Sequence, residues 1–127
     1  MQHHDITQKI IGAAFKVYNT MGFGYLESVY EKCLMIELRK IGLKAENQKP
    51  ITVHFEDEVV GEFIADVVVE NEIIIEMKSV RRVTTAHEAQ LVNYLTATKK
   101  DVGLLLNFSQ QKVEVKRKVR TLPYDTL

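Results

Sequence analysis

Residues 63–78 read Phe63-Ile64-Ala65-Asp66-Val67-Val68-Val69-Glu70-Asn71-Glu72-Ile73-Ile74-Ile75-Glu76-Met77-Lys78, and their pattern decides the fold. Two β-branched runs, Glu58 to Val69 and Ile73 to Val80, flank the polar Glu70-Asn71-Glu72, which is the pattern of a β-hairpin. Ile73-Ile74-Ile75 is apolar on both faces, so the second run is expected to be a central strand covered on each side. Asp66, Glu76 and Lys78 are polar exceptions within it. Residues two apart on a strand share a face, so Glu76 and Lys78 project together. A three-residue loop sets Val69 against Ile73 and brings Asp66 opposite Glu76. A two-residue loop would pair Asp66 with Met77 and invert it. Convergence of the three charges therefore demands one register.

Outward from this hairpin the periodicities alternate. Upstream, Asp5-Ile6-Thr7-Gln8 reads as a capping box, and Ile6, Ile10, Ala13, Ala14, Val17 and Met21 recur at helical spacing up to Gly22. A second helix is expected from near Leu26, with Leu26, Val29, Tyr30, Cys33, Leu34, Leu38 and Ile41 on one face and Gly42 as the stop. After Pro50, Ile51, Val53 and Phe55 alternate with Thr52, His54 and Glu56 as a strand. Downstream, Thr85-x-x-Glu88 reads as a capping box for a helix from about Ala86 to Thr98. Val102 to Phe108 and Val113 to Lys116 read as strands. The order is α-α-β-β-β-α-β-β, which predicts an α/β fold with a mixed β-sheet flanked by α-helices, in a single domain over residues 1–127.

Composition bounds the function. The 127 residues carry 17 Lys+Arg and 17 Asp+Glu, so the chain is formally neutral. That excludes a uniformly basic coat protein and an acidic disordered tail. The neutrality conceals a polarity: residues 1–77 hold 7 basic and 13 acidic side chains, and residues 78–127 hold 10 basic and 4 acidic. Between Lys49 and Lys78 there are eight carboxylates and no cation. No apolar run approaches a membrane span, and no signal-peptide core opens the chain. The single Cys33 excludes an intrachain disulfide and fits a reducing cytoplasm. It lies mid-helix with no cue for a base, which argues against a nucleophile. His54 and His87 lack zinc-site spacing.

Two carboxylates side by side in a half-buried sheet repel, and one is expected to stay protonated unless a cation intervenes. Lys78 supplies one positive charge. Carboxylate oxygens with a backbone carbonyl suit Mg²⁺ or Mn²⁺, which can activate a water and stabilise a phosphoryl oxygen. The competing interpretation is an edge strand whose Asp, Glu and Lys pair in solvent.

Asp66…Glu76-Met77-Lys78 spells D-x9-E-x-K and resembles the core signature of the PD-(D/E)XK nuclease superfamily. Gln90-Leu91-Val92-Asn93-Tyr94 gives Q-x3-Y on the next helix and resembles an accessory motif of its exonuclease-like branches. Gly24-Tyr25-Leu26-Glu27-Ser28-Val29-Tyr30 matches G-x-x-E-x-x-Y, the signature of a family of small members. The element order is similar to the αβββαβ restriction-endonuclease-like core with an extra N-terminal helix. Ala65 stands where the name-giving proline would be. The resemblance implies Asp66, Glu76 and the Met77 carbonyl as metal ligands, Lys78 as the catalytic lysine, and Glu27 as a helix carboxylate completing or supporting the metal site. Gln90 and Tyr94 would line the mouth, one helical turn apart. Glu27 is otherwise explained by the helix dipole, Tyr30 and Tyr94 as core with bonded hydroxyls, and Gly22 and Gly24 as helix punctuation.

Arg81 and Arg82 follow the catalytic strand, Lys99 and Lys100 occupy the next loop, and Lys112, Lys116, Arg117, Lys118 and Arg120 crowd the C-terminal end. A ring of these around the carboxylates would hold a phosphate backbone. No aromatic residues interleave the basic stretches, so the sequence carries no single-strand argument. The expectation is a Mg²⁺-dependent nuclease hydrolysing phosphodiester bonds in DNA, with homodimerisation by analogy only. The alternative is a catalytically silent module on the same fold that binds nucleic acid or a protein partner. A purely structural oligomer domain would leave Glu76 and Lys78 unexplained as neighbours.

Overall fold

A computed structural model of the chain describes residues 3–120. Two helices come first, α1 (His4–Met21) and α2 (Glu27–Lys40), then strands β1 (Ala45–Phe55), β2 (Glu58–Val69) and β3 (Ile73–Lys78). Helix α3 (Thr85–Thr98) and strands β4 (Val102–Phe108) and β5 (Val113–Val119) complete the order expected from sequence. The five strands lie in the spatial order β1-β2-β3-β4-β5, antiparallel except for the parallel β3–β4 pair that α3 connects. No helix among the described residues is long and apolar enough to cross a membrane.

Alternation along β3 assigns its side chains to two cores. Ile73, Ile75 and Met77 face α1 and α2, in a cluster with Ile10, Val17, Tyr30, Leu34, Leu104 and Phe108. Ile74 faces α3, in a smaller cluster with Val68, Leu91, Leu95 and Leu105. Glu76 and Lys78 continue the Ile74 face toward the end of the strand. α3 lies close on β4 because position 103 has no side chain: a Cβ there would sit 2.9 Å from Leu91 Cδ1 and 3.2 Å from the Ile74 carbonyl.

Several local expectations change. β1 begins at Ala45 and runs through Pro50, which an edge strand tolerates because one row of N–H groups needs no partner. β5 continues to Val119. At α1 the N-cap is His3 with no side-chain cap bond, so Asp5 and Gln8 form no capping box there. At α3 the box is shifted by one residue. Thr84 is the N-cap, its hydroxyl accepts the His87 N–H at 3.2 Å, and His87 Nδ1 accepts the Thr84 N–H at 3.1 Å. An imidazole nitrogen does here what a Glu or Gln carbonyl oxygen does in the usual box. Glu88, freed from capping, pairs with Lys118.

Candidate active site

The hairpin register puts the three charges at one place. Val69 pairs with Ile73, Val68 with Ile74 and Val67 with Ile75, the three-residue-loop alternative. Glu70 and Asn71 carry the turn with positive φ angles of 53° and 54°, and the Glu70 N–H is held by the Lys44 carbonyl at 2.7 Å. The ladder then ends. Beyond Val67 and Ile75 the strands part, and Asp66 Oδ2 takes the freed Met77 N–H at 2.7 Å. The Asp66 side chain thus replaces a backbone bond and opens a notch between β2 and β3.

Glu76 lies beside that notch, only 9% exposed. Its Oε1 is buried without a hydrogen-bond partner. Burial first, then the charge and hydrogen bond of Asp66, raise its pKa to about 8, with Glu27 adding and Lys78 opposing. At neutral pH the protonated form of Glu76 therefore predominates. Lys78 is half-buried and pairs with Asn107 on β4.

Tyr94 faces this cluster from α3. Its ring stacks on Phe63 of β2, with centroids 3.5 Å apart and planes 7° from parallel. Burial, then the charge of Glu76, raise the Tyr94 pKa, while a hydrogen bond from Gln90 opposes them and Asp66 adds. Gln90, Glu76 and Asp66 therefore all act on the Tyr94 hydroxyl.

The N-terminal motif closes the other side. Gly22 and Gly24 hold φ angles of 80° and 112°, and nothing crowds a Cβ at either, so they serve backbone conformation rather than close approach. The buried Tyr30 hydroxyl donates to the Gly22 carbonyl at 2.6 Å and accepts the Tyr25 N–H at 3.3 Å, clasping the loop between the helices. The Ser79 hydroxyl donates to the Tyr25 carbonyl at 3.2 Å, and the Ser79 N–H to Glu27 at 3.3 Å. Gly24, Glu27 and Tyr30 thus fasten the start of α2 to the residue after Lys78. Glu27 remains exposed and bound to that amide. Among the described residues no group of three or more His, Cys, Asp and Glu side chains is arranged to hold a metal ion. Asp66 and Glu76 are a two-carboxylate pair, with Glu27 a charged neighbour.

Two supports escape a sequence reading. Buried Asn107 braces the segment after Lys78, its Oδ1 accepting the Val80 N–H and its Nδ2 donating to the Val80 carbonyl, both at 2.9 Å. Its signal was available, as the lone side-chain amide in the apolar run Val102–Phe108. Buried Glu31, one turn after Glu27, accepts from Gln48 Nε2 at 2.7 Å and Asn47 Nδ2 at 3.2 Å. Gln48, at φ 50°, sits between the Asn47–Val67 and Lys49–Ala65 pairs and therefore against Asp66. No local signal marked Glu31, because its partners come from β1.

The expected ring of cations is only partly assembled. Arg81 and Arg82 follow β3 and lie at the carboxylate end. Lys116 stands level with Glu76, two strands away through Leu105. Lys99 and Lys100 are at the opposite end of the sheet: β4 is parallel to β3, so its first residue, Val102, sits beside Ile73. Lys100 donates to the Asn71 carbonyl in the hairpin turn at 2.9 Å. Arg117 pairs with Leu104, whose side chain faces α1 and α2, so it lies on the other face from Glu76.

A family model described as the PD-(D/E)XK nuclease superfamily matches residues 4–118. No curated protein matches the chain. Among solved structures, the chain is similar in fold to "Crystal structure of SSO0001", with a TM-score of 0.62 and 17% identity over 98% of this chain. It spans 63% of that longer protein.

Proposed function

We propose, for a chain that belongs to the PD-(D/E)XK nuclease superfamily, a metal-dependent nuclease acting on DNA, with Asp66, Glu76 and Lys78 at its centre. The observation that carries this is the buried, unpartnered Glu76 Oε1 beside Asp66. A cation would satisfy that oxygen and relieve the carboxylate repulsion. Asp66, Glu76 and the Met77 carbonyl would hold Mg²⁺ or Mn²⁺, which typically keeps several waters alongside one or two carboxylates. When bound, the ion supplies charge neutralisation at the phosphoryl oxygens and a more acidic water. Lys78, on the same face as Glu76, orients the attacking water and offsets the negative charge that builds on phosphorus oxygens as the ester P–O bond breaks. Gln90 and Tyr94 line the mouth and Glu27 holds the backbone after Lys78. Arg81 and Arg82 contact the phosphate backbone, with Lys116 near the edge. Gly24, Glu27 and Tyr30 support placement among the small G-x-x-E-x-x-Y members, the whole chain acting as one nuclease-like domain in a reducing cytoplasm.

The test is cleavage of a DNA panel with Mg²⁺ or Mn²⁺ and with EDTA. Activity should need the metal and fall at least about 100-fold in Lys78→Ala, while DNA binding persists. Activity that survives in Glu76→Ala would refute the mechanism. A second reading, a silent binding module, is favoured by the lack of a third carboxylate ligand among the described residues. It wins if DNA is bound but never cut.

A further inference from the structure

A groove in two parts runs past the residue that follows Lys78. One part, about 580 Å³, is lined by Phe23, Tyr25, Glu27 and Ser79. The next, about 690 Å³, shares Phe23 and Ser79 and is lined further on by Arg81, Arg82, Lys112 and Glu114. Phe23 therefore stands at the junction. It is 54% exposed, and Tyr25 is 43% exposed. Neither exposure comes from a loose loop, since Tyr30 clasps both ends of the segment, Gly22 and Tyr25, and Ser79 holds the Tyr25 carbonyl as well. The sequence between Gly22 and Gly24 thus presents an apolar ring to solvent on a fixed backbone.

The charges of the groove complement the ring. Arg81, Arg82 and Lys112 have no ion-pair partner among the described residues. Two of their neighbours in the basic half are engaged, Lys118 with Glu88 and Arg120 with Asp101. Of the groove's acids, Glu114 is taken up by Asn107 Nδ2 at 3.3 Å and Glu27 by the Ser79 N–H. Unpartnered cations beside a fixed exposed aromatic are the two components of a single-strand site, one tracking phosphates and one stacking a base. A duplex keeps its bases stacked inward and offers Phe23 no exposed π-face.

We propose that this groove binds an unpaired nucleic-acid strand, with a base stacked on Phe23, a second against Tyr25, and the phosphates led past Ser79 to Arg81, Arg82 and Lys112. The inference rests on the nucleic-acid reading of the site and names its substrate class: single strands or unpaired ends rather than intact duplex.

The test is fluorescence anisotropy in EDTA, with labelled oligothymidylate and a duplex of the same length. Wild type should bind the single strand more tightly than the duplex. Phe23→Ala should weaken single-strand binding on the order of tenfold and leave duplex binding unchanged. The chain contains no Trp, so Phe23→Trp adds a single reporter at the junction. It should keep the wild-type affinity, and its emission should be quenched on binding the single strand. Equal or tighter duplex binding, no binding of either form, an equal or absent effect of Phe23→Ala, or an unquenched Trp would each overturn the proposal. Cleavage is read separately. A protein that prefers single strands but never cuts leaves this inference intact and removes the nuclease, and a duplex-cutting protein indifferent to Phe23 does the reverse.

Discussion

Glu76 sits where burial and two neighbouring carboxylates favour the protonated form, and this has a stability consequence in the metal-free protein. Below the ordinary carboxylate value of 4.5 both folded and unfolded chains carry the proton. From there to about 8 the unfolded chain is ionised and the native site is not, so stability contributed by Glu76 falls as pH rises through that window. Glu76→Gln removes the dependence. Relative to wild type the variant should gain on the order of a few kcal/mol between pH 4 and pH 8, read from urea melts in EDTA. A difference that stays flat with pH would rule out the buried ionisable group. Adding Mg²⁺ at pH 8 should raise the melting temperature of wild type and not of Glu76→Gln, because the ion binds only the ionised pair. The Tyr30 hydroxyl makes a second residue-scale case. Tyr30→Phe should cost about 1–2 kcal/mol in denaturant melts and speed hydrogen exchange at the Tyr25 amide, which loses its acceptor. Unchanged exchange there would mean the clasp does not hold the loop. The bonded hydroxyl was legible in the sequence from an aromatic on an apolar helix face. Its partners were not, because glycines at 22 and 24 read equally well as helix punctuation.

α3 is positioned by its cap and by its contact with β4, and each can be tested. Thr84→Ala removes the side-chain acceptor for the His87 N–H and should destabilise by roughly 0.5–2 kcal/mol, whereas Thr85→Ala should cost much less. The reverse ranking in thermal melts would restore the box predicted at Thr85. The one-residue misplacement has a simple cause: sequence rules look for Glu or Gln at the third helical position, and His87 serves through Nδ1. Gly103→Ala should cost about 1–3 kcal/mol by forcing Leu91 aside. Combining it with Leu91→Ala should show coupling rather than additivity, since the added methyl meets the Leu91 side chain first. Simple additivity would place the strain against the Ile74 carbonyl instead. The hairpin was the most legible element, because loop length alone sets which face Asp66 takes. That its carboxylate would replace a ladder bond to Met77 was not legible, as strand divergence leaves no mark in residue types.

Over the whole molecule the opposite charges of the two halves do not simply meet. Asp66, Glu76 and Lys78 lie at one end of the sheet, with Arg81 and Arg82 in the segment that follows β3. Glu56, Asp57, Glu58 and Glu62 lie on the part of the β1–β2 hairpin beyond the last β2–β3 pair. Lys99, Lys100 and Arg120 occupy the opposite end of the sheet. Nucleic-acid affinity should therefore depend on a subset of the cations. Arg81→Ala and Arg82→Ala should each reduce the slope of log K against log salt by about 1, while Lys99→Ala and Lys100→Ala should leave it unchanged. Equal effects at both ends would mean that the whole basic half, not the groove, carries the backbone.

The sequence by itself determined the element order and the central position of Ile73–Lys78, and it narrowed the hairpin to two registers, of which the structure holds the one that puts Asp66 and Glu76 on one face. These follow from period, loop length and turn chemistry, which are local. Only the tertiary structure decided which cations share the carboxylate end, that Glu31 is bound by Asn47 and Gln48, and that Phe23 lines one groove with Glu27, Arg81 and Arg82. Those depend on the parallel β3–β4 crossover and the docking of α2 on the sheet, which bring together residues far apart in the chain.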